Sequence, residues 1–465
     1  MKIQIAFLAA IAVAVAACNG GSTTKTPATP VAAATSAAMT SGTSHAATMT
    51  SGTAKTASMS AAPGCENLPE VRYYGYAWNG QMGVMYATGG KQSAKDSLMC
   101  KHGVNVKLIR QDDNSQLQAL LTAFAERVSK GDANPKEGAT FVTIMGDGSA
   151  AFLKPLNDTL KRLGPDYTAQ IVGAVGFSRG EDKFMGPAAW KADPSKAKGG
   201  LVAGVLRDGD WNIALKWLGD HKIKNNPDET TYDPDALNWV NATDYIDATQ
   251  KYVAGYCADL KNVKTKKSEK HCVDGVVTWT PGDVTLAEKK GGLVSIVSTK
   301  ENKSQMPTVL IGNKKWMSAN KKIVEGFLAA AFEGADAVNA SDANLMKGAE
   351  VSAQVYGEQD AAYWAKYFHP VTTKDKTGAE VELGGSAVIN LGDNVALFGL
   401  KPGTNNDFAQ TYTAFATIVK SQYPKLLPAF DPATQVVDTT YLKAMMAEAA
   451  PAPKATEAPK KPAKK

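Results

Sequence analysis

One unit recurs along this chain and restricts what it can fold into: a short apolar run, a turn rich in Gly and Asp, then a helix-length amphipathic segment. "RYYGYAW" precedes "QMGVMYATGG", and "VNVKLIRQD" precedes "SQLQALLTAFAERV". "TFVTIMGDG" precedes "SAAFLKPLNDTLKRLG", where Ala151, Phe152, Leu156 and Leu160 share one helical face. "AQIVGAVGFS", "GLVAGVLRD", "LNWVNA" and "GVVTWTP" continue the series, and the last three each run into a helical pattern. "LVSIVSTKEN" then leads to long helices such as "KWMSANKKIVEGFLAAAFEGADAV". Strands alternating with helices predict an α/β fold with mainly parallel sheets flanked by helices, and the body is long enough for two lobes with separate cores.

The ends of the chain differ from the body. Residues 1–17 hold a Lys, an apolar run and a small-residue stretch, the order of a secretory signal and too short for a stable membrane span. Val15-Ala16-Ala17-Cys18 resembles a bacterial lipobox; the resemblance implies cleavage before Cys18 and its acylation, palmitate included, and Asn19 implies the outer membrane in enteric-type bacteria. The alternative is an ordinary signal with an incidental Cys. Residues 18–64 are almost wholly Ala, Thr, Ser, Gly, Met and Pro, with "MTSGT" at Met39 and again at Met49, and with no Phe, Trp or Tyr; they predict a disordered tether. Residues 446–465 predict a second such tail, whose "PAPKATEAPKKPAKK" carries five Lys against one Glu and so most of the net charge of +6. A basic tail without interleaved aromatics argues against nucleic-acid binding.

Apart from Cys18, four Cys remain in a chain expected to reach an oxidising compartment. Cys257 and Cys272 bracket a Lys-rich polar excursion that reads as a hairpin needing a clasp, so they are expected to pair with each other and Cys65 with Cys100. No Cys-x-x-Cys occurs, and neither a metal nor another cofactor is expected.

With "RYYGYAW" opening the body, "MGDGSAAF" entering a helix, and "VVTWTP" ahead of "LVSIVSTKE", the chain resembles a type II periplasmic substrate-binding protein. The branch is that of the nitrate-, sulfonate- and taurine-binding components of ABC transporters. The resemblance implies a ligand cleft at a hinge between two lobes, residues 65–168 with 291–445 forming the first and 169–290 the second, with "AQIVGAVGFS" and "LVSIVSTKE" crossing between them. It further implies a monomer anchored in the cell envelope by lipid, with a small solute and an ABC permease as partners.

Ligands of open α/β sheets collect where strand ends meet helix N-termini. Four turns and one crossing supply candidates there: Trp78, Asn79 and Gln81; Asp147 and Ser149; Asp208, Asp210, Trp211 and Asn212; Trp279, Thr280 and Asp283; and Ser178 with Arg179. Asp147, Asp210 and Asp283 have a plain alternative as helix caps. Trp217, between Leu215 and Leu218, reads as core. Arg179 and Arg207 suit an anion, whereas Asp147, Asp182, Asp208, Asp210 and Asp283 would repel one, which leaves a cationic, zwitterionic or neutral ligand open.

Two other readings compete. Asp208-Gly209-Asp210 resembles the Asp-x-Asp-x-Thr loop of Mg²⁺-dependent haloacid-dehalogenase-type phosphohydrolases, but Asn212 stands where Thr is needed. No Gly-x-Ser-x-Gly elbow, P-loop or dinucleotide turn occurs, and neither His102 nor His369 has a carboxylate partner nearby in sequence, so no enzyme is expected. The third reading is a surface or envelope scaffold without a transport role, to which the tether and the Lys tail are suited.

Overall fold

The computed structural model describes residues 62–206, 209–302 and 304–449. The signal, Cys18, almost all of the first tether, Arg207, Asp208 and residues 450–465 lie outside them. Among the described residues no helix is long and apolar enough to cross a membrane.

The strands are β1 (Glu70–Gly75), β2 (Asn105–Arg110), β3 (Phe141–Met145), β4 (Ala169–Ser178), β5 (Lys183–Gly186), β6 (Leu201–Gly204), β7 (Lys224–Asn225), β8 (Thr231–Tyr232) and β9 (Ala236–Asn241). They continue with β10 (Cys257–Asn262), β11 (Ser268–Cys272), β12 (Gly275–Thr278), β13 (Val294–Ser298), β14 (Pro307–Asn313), β15 (Val371–Lys374), β16 (Glu380–Leu383) and β17 (Ser386–Val388). Two six-stranded sheets result, ordered β17-β4-β14-β3-β1-β2 and β13-β5-β12-β6-β9-β7. In the first, β1 lies between β3 and β2; in the second, β6 lies between β12 and β9; and the strands next to a crossing lie toward the other edge.

Each sheet is mixed, which corrects the expectation of mainly parallel pairing. β1, β2 and β3 run parallel, as do β6, β7, β9 and β12; a helix returns the chain to the same end after β1, β2, β6 and β9, and a loop through β8 does so after β7. β5 and β14, the first strands after each crossing, enter from the opposite lobe and so pair antiparallel with their neighbours, and β17 pairs antiparallel with β4. The apolar runs "FVTIM" and "PTVLIGN" are buried at every position, as strands covered on both faces must be.

The lobe boundaries move accordingly. β4 lies wholly in the first sheet, so the chain changes lobe after Ser178 rather than at residue 169. β13 belongs to the second sheet, so the return comes between Ser298 and Pro307 rather than at residue 291. The last helix, Thr440–Ala449, carries the folded body past residue 445, where the tail was expected to begin.

Local signals set the helices. Asp113 accepts from the amides of Ser115 and Gln116 to start helix Asn114–Ser129. Phe152, Leu156 and Leu160 are buried on the core face of helix Ser149–Leu160, as their spacing predicts. Trp217 is buried edge to face with Phe184, and the aromatic run at Tyr363–Phe368 packs as helix Ala361–Phe368, with Trp364 inside.

Both expected disulfides are present, Cys65–Cys100 and Cys257–Cys272. Cys257 stands opposite Cys272 where β10 and β11 form an antiparallel hairpin, so the bridge closes the base of the Lys-rich excursion. Alkylation under denaturing, non-reducing conditions should therefore leave these four sulfurs unlabelled, and labelling of all four would overturn the pairing. Replacing Cys257 and Cys272 together by Ser should lower unfolding stability by about 2–4 kcal/mol, read by denaturant titration, because the unfolded chain regains the freedom that the closed loop removes.

Candidate functional site

The turns after β1, β3, β6 and β12 converge with the two crossing segments at the junction of the lobes. Trp279 of the second lobe donates its indole N–H to the Ala77 carbonyl of the first at 3.1 Å. The Asn79 amide approaches the Glu181 carboxylate of the first crossing at 3.4 Å. Two glycines allow this closeness. A Cβ at Gly80 would stand 2.6 Å from the Thr308 hydroxyl and 3.3 Å from the Trp78 ring, and one at Gly209 would stand 2.5 Å from the Met306 sulfur.

Inside this junction several polar side chains are buried with no hydrogen-bond partner: both amide atoms of Asn79, the indole nitrogen of Trp78, the hydroxyls of Thr280 and Thr308, the Asn212 carbonyl and both carboxylate oxygens of Asp182. Leaving one such group unmet costs about 1–3 kcal/mol. Clustered where two lobes meet, they mark a place built for something that completes them. Trp78, Asn79, Asn212 and Thr280 are thus expected site residues that are brought together with unmet bonding capacity.

Other expected residues are occupied. Gln81 accepts from Tyr73 at 2.5 Å and Thr143 at 2.8 Å and donates to the Tyr76 carbonyl at 2.7 Å, which makes it part of a closed core network. Ser149 bonds the Gly146 carbonyl. Ser178 meets Thr299 at 2.6 Å and accepts from the Asp182 amide at 3.0 Å, tying the two crossings together. The Arg179 guanidinium lies 4.1 Å over the Phe177 ring and donates to the Ser178 carbonyl. Trp211 packs edge to face on Tyr423 at 4.6 Å, at the end of helix Asp407–Gln422, and its indole nitrogen, like that of Trp78, is buried without a hydrogen-bond partner.

The capping role expected of the aspartates also changes. Helices Ser149–Leu160 and Gly282–Lys289 have no side-chain cap. Asp147 instead accepts from the Gln305 amide at 3.0 Å. Asp283 holds Lys183 at 2.6 Å and the Gly384 amide at 3.2 Å. Asp210 sits in the first turn of helix Gly209–Asp220, beside Asp182.

Sequence reasoning did not select Glu181, Asp182, Lys183, Gln305 or Thr308 as site residues. The one available signal was the charge run "RGEDK" directly after an apolar strand, where exposed charge is the ordinary expectation. Glu181 and Asp182 are fully buried. Burial first, then the neighbouring Asp182 and Asp283, raise the Glu181 carboxyl well above its usual range. Burial likewise pushes Asp182 up to about 6 from 3.8; Ser178, Asp210 and Lys183 hold it down and Asp283 holds it up. Ser178 and Asp210 lie close to Asp182, but neither of its oxygens reaches a donor in hydrogen-bond geometry. No group of metal-ligating side chains occurs among the described residues.

A latch spans the lobes beside the site. Arg110, at the end of β2, pairs with Asp112 at 2.6 Å and Glu358 at 3.3 Å, and reaches the Tyr245 hydroxyl of the second lobe at 3.1 Å. Tyr245 in turn donates to Glu358. An open cleft of about 320 Å³ also lies between the lobes, lined in part by Asn114, Gln118, Phe152, Leu206 and Asn241. None of the expected site residues lines it, and none of its lining side chains is buried without a partner. The unmet groups make the buried cluster the better candidate for the site itself.

Because the Asp182 carboxyl is raised from 3.8 to about 6, its burial lowers stability at neutral pH. That loss is relieved as pH falls through about 6 and is gone below 3.8. Asp182→Asn should thus raise the melting temperature of the unliganded protein near neutral pH, by a free energy on the order of 3 kcal/mol, and flatten its rise on mild acidification. A lower melting temperature in the variant would mean that the carboxylate has a partner.

No protein-family model matches the sequence, and no curated protein sequence does. Solved structures do match. The alkanesulfonate-binding protein SsuA from Xanthomonas axonopodis pv. citri bound to MOPS is 14% identical, covers 80% of this chain and 99% of its own, and has a TM-score of 0.50. The periplasmic aliphatic sulphonate-binding protein SsuA from Escherichia coli is 15% identical, with coverages of 79% and 97% and a TM-score of 0.49. The periplasmic nitrate-binding protein NrtA from Synechocystis is 11% identical, with coverages of 80% and 92% and a TM-score of 0.46. At 14% identity the Xanthomonas likeness is one of fold. Two sheets joined by paired crossing segments give this chain the two-lobed fold of the type II periplasmic binding proteins.

Proposed function

We propose that this protein is a solute-binding lipoprotein of the cell envelope, anchored through acylated Cys18, that captures a small polar solute between its lobes and delivers it to an ABC-type permease. The observation that carries the reading is the set of buried, unpaired polar groups contributed from both sides of the junction. Trp78, Asn79 and Thr308 come from the first lobe, Asp182 from a crossing, and Asn212 and Thr280 from the second lobe. A scaffold has no use for such groups, whereas a solute that bonds them is enclosed when the lobes meet.

The crossings suit a hinge. Each is short, and Ser178, Thr299 and the Gly180 amide join them side by side, Gly180 donating to Thr299 at 2.7 Å. The Arg110–Glu358–Tyr245 latch then stabilises the form in which the lobes touch. Binding of a solute to this form alone raises stability by about 2.7 kcal/mol at a concentration one hundred times Kd.

Titration of the purified protein with the correct solute should change tryptophan emission in one saturable step, because Trp78 and Trp279 flank the junction, and should raise the melting temperature. No response to any solute across a broad library of anions, amines and neutral metabolites would overturn the reading. The anchoring is tested separately. Cys18→Ala should move the protein from the membrane to the soluble fraction, and retention in the membrane would overturn attachment through that residue.

A further inference from the structure

The hairpin of β15 and β16 belongs to neither large sheet. Val371 stands opposite Leu383 and Lys374 opposite Glu380, and a lone two-stranded ribbon of this kind is marginal in water unless something packs on it. What packs on it is the other lobe. The chain leaves the first lobe after helix Ala361–Phe368 and rejoins the first sheet as β17, and between these points it lies along helix Gly282–Lys289 of the second lobe.

Three sets of contacts hold it there. At the tip, the Lys376 amide donates to the Ala287 carbonyl at 2.8 Å and its ammonium to the Lys289 carbonyl at 3.0 Å. Asp375 divides its carboxylate. One oxygen accepts from the Thr377 and Ala379 amides and shapes the turn, and the other accepts from the Gly292 amide of the second lobe at 2.7 Å. Gly291 leaves room for this, because a Cβ there would stand 2.7 Å from that second oxygen, at a φ of +70° that favours glycine. Along the ribbon, Val381 and Leu383 join Tyr367 against Val284 and Ala287 in a small apolar cluster separate from the other cores. At the base, the Glu382 carbonyl accepts from Lys183 at 3.1 Å and the Gly384 amide donates to Asp283 at 3.2 Å. The Gly385 carbonyl accepts from the Arg179 and Glu181 amides of the first crossing at 2.8 and 3.1 Å, and the Glu382 carboxylate pairs with Lys300 of the return crossing at 2.7 Å.

A hinge made of two crossings alone opens by changes in a few backbone angles. Here the same motion has to pull the hairpin tip off Ala287 and Gly292, or the hairpin base off Lys183 and Asp283, and split the apolar cluster. Helix Gly282–Lys289 directly follows Trp279 and Thr280, so what fixes this helix also fixes those two site residues.

We propose that residues 369–385 are a brace that holds the second lobe against the first before any solute arrives, with Asp375 as its positioning residue. The site then stands assembled in the unliganded protein, and the fraction competent to bind is not reduced by lobe opening. The brace follows from the two-lobed fold and involves no solute, so its failure leaves the solute-binding reading as it stands.

The test is hydrogen–deuterium exchange, read by mass spectrometry on the unliganded full chain. Residues 77–83, which face the second lobe and lie outside the hairpin's contacts, should exchange slowly in the unaltered protein. Asp375→Ala should speed their exchange by about tenfold or more while β3 and β14 stay protected, the pattern of lobe opening without unfolding. Gly291→Ala, which crowds Asp375 from the other lobe, should do the same. Fast exchange of residues 77–83 in the unaltered protein overturns the brace, and so does acceleration confined to the hairpin and residues 284–292. Should Asp375→Ala lose protection in β3 and β14 as well, Gly291→Ala and Val381→Ala carry the comparison. The same global loss in all three variants makes the hairpin a part of the folding core and also overturns the brace.

Discussion

Lys183 and Asp283 meet at 2.6 Å with side-chain exposures of 1% and 0%, and much of this structure depends on that pair. Lys183 opens β5 as the chain enters the second lobe, Asp283 lies in the first turn of the helix after β12, and the same carboxylate takes the Gly384 amide from the segment that returns to the first sheet as β17. Three parts of the chain distant in sequence are thereby fixed beside the hinge. A buried pair of this kind adds little net stability compared with apolar residues of the same shape, but breaking it by removing one partner costs about 3–5 kcal/mol. Its value here is positional.

The pair also decides the electrostatics of the site. Lys183, held by Asp283, lowers the neighbouring Glu181 and Asp182 carboxyls only in part. The raised carboxyls of Glu181 and Asp182 result from that arrangement together with burial. Fold and charge therefore separate: the architecture is shared with a sulfonate-binding protein, while the junction is lined with carboxylates.

The site was partly legible before the structure. Trp78, Asn79 and Thr280 could be picked out because each sits at a turn between an apolar run and a helix, and such turns gather at one end of a sheet. Gln81, Ser149 and Ser178 occupy equivalent turns but are spent on Tyr73, Gly146 and Thr299, partners that no local pattern reveals. Trp211 follows the same strand-to-helix rule as Trp78, yet its ring packs on Tyr423, far away in sequence. Arg179 was read as an anion ligand on its position alone, and its stacking on Phe177 depends on a backbone path that position does not specify.

The chain by itself determined the α/β alternation, the two bridging cysteine pairs and the turns from which a site would be built, because apolar periodicity and cysteine spacing are local properties. Only the tertiary structure decided where the lobes exchange, why each sheet turns antiparallel at its crossings, and which polar side chains are left unpaired. Those outcomes depend on contacts between segments far apart in sequence. "RGEDK" shows the difference: in the sequence it is a charged run suited to solvent, and in the fold Glu181, Asp182 and Lys183 are enclosed because both lobes close over the crossing that carries them.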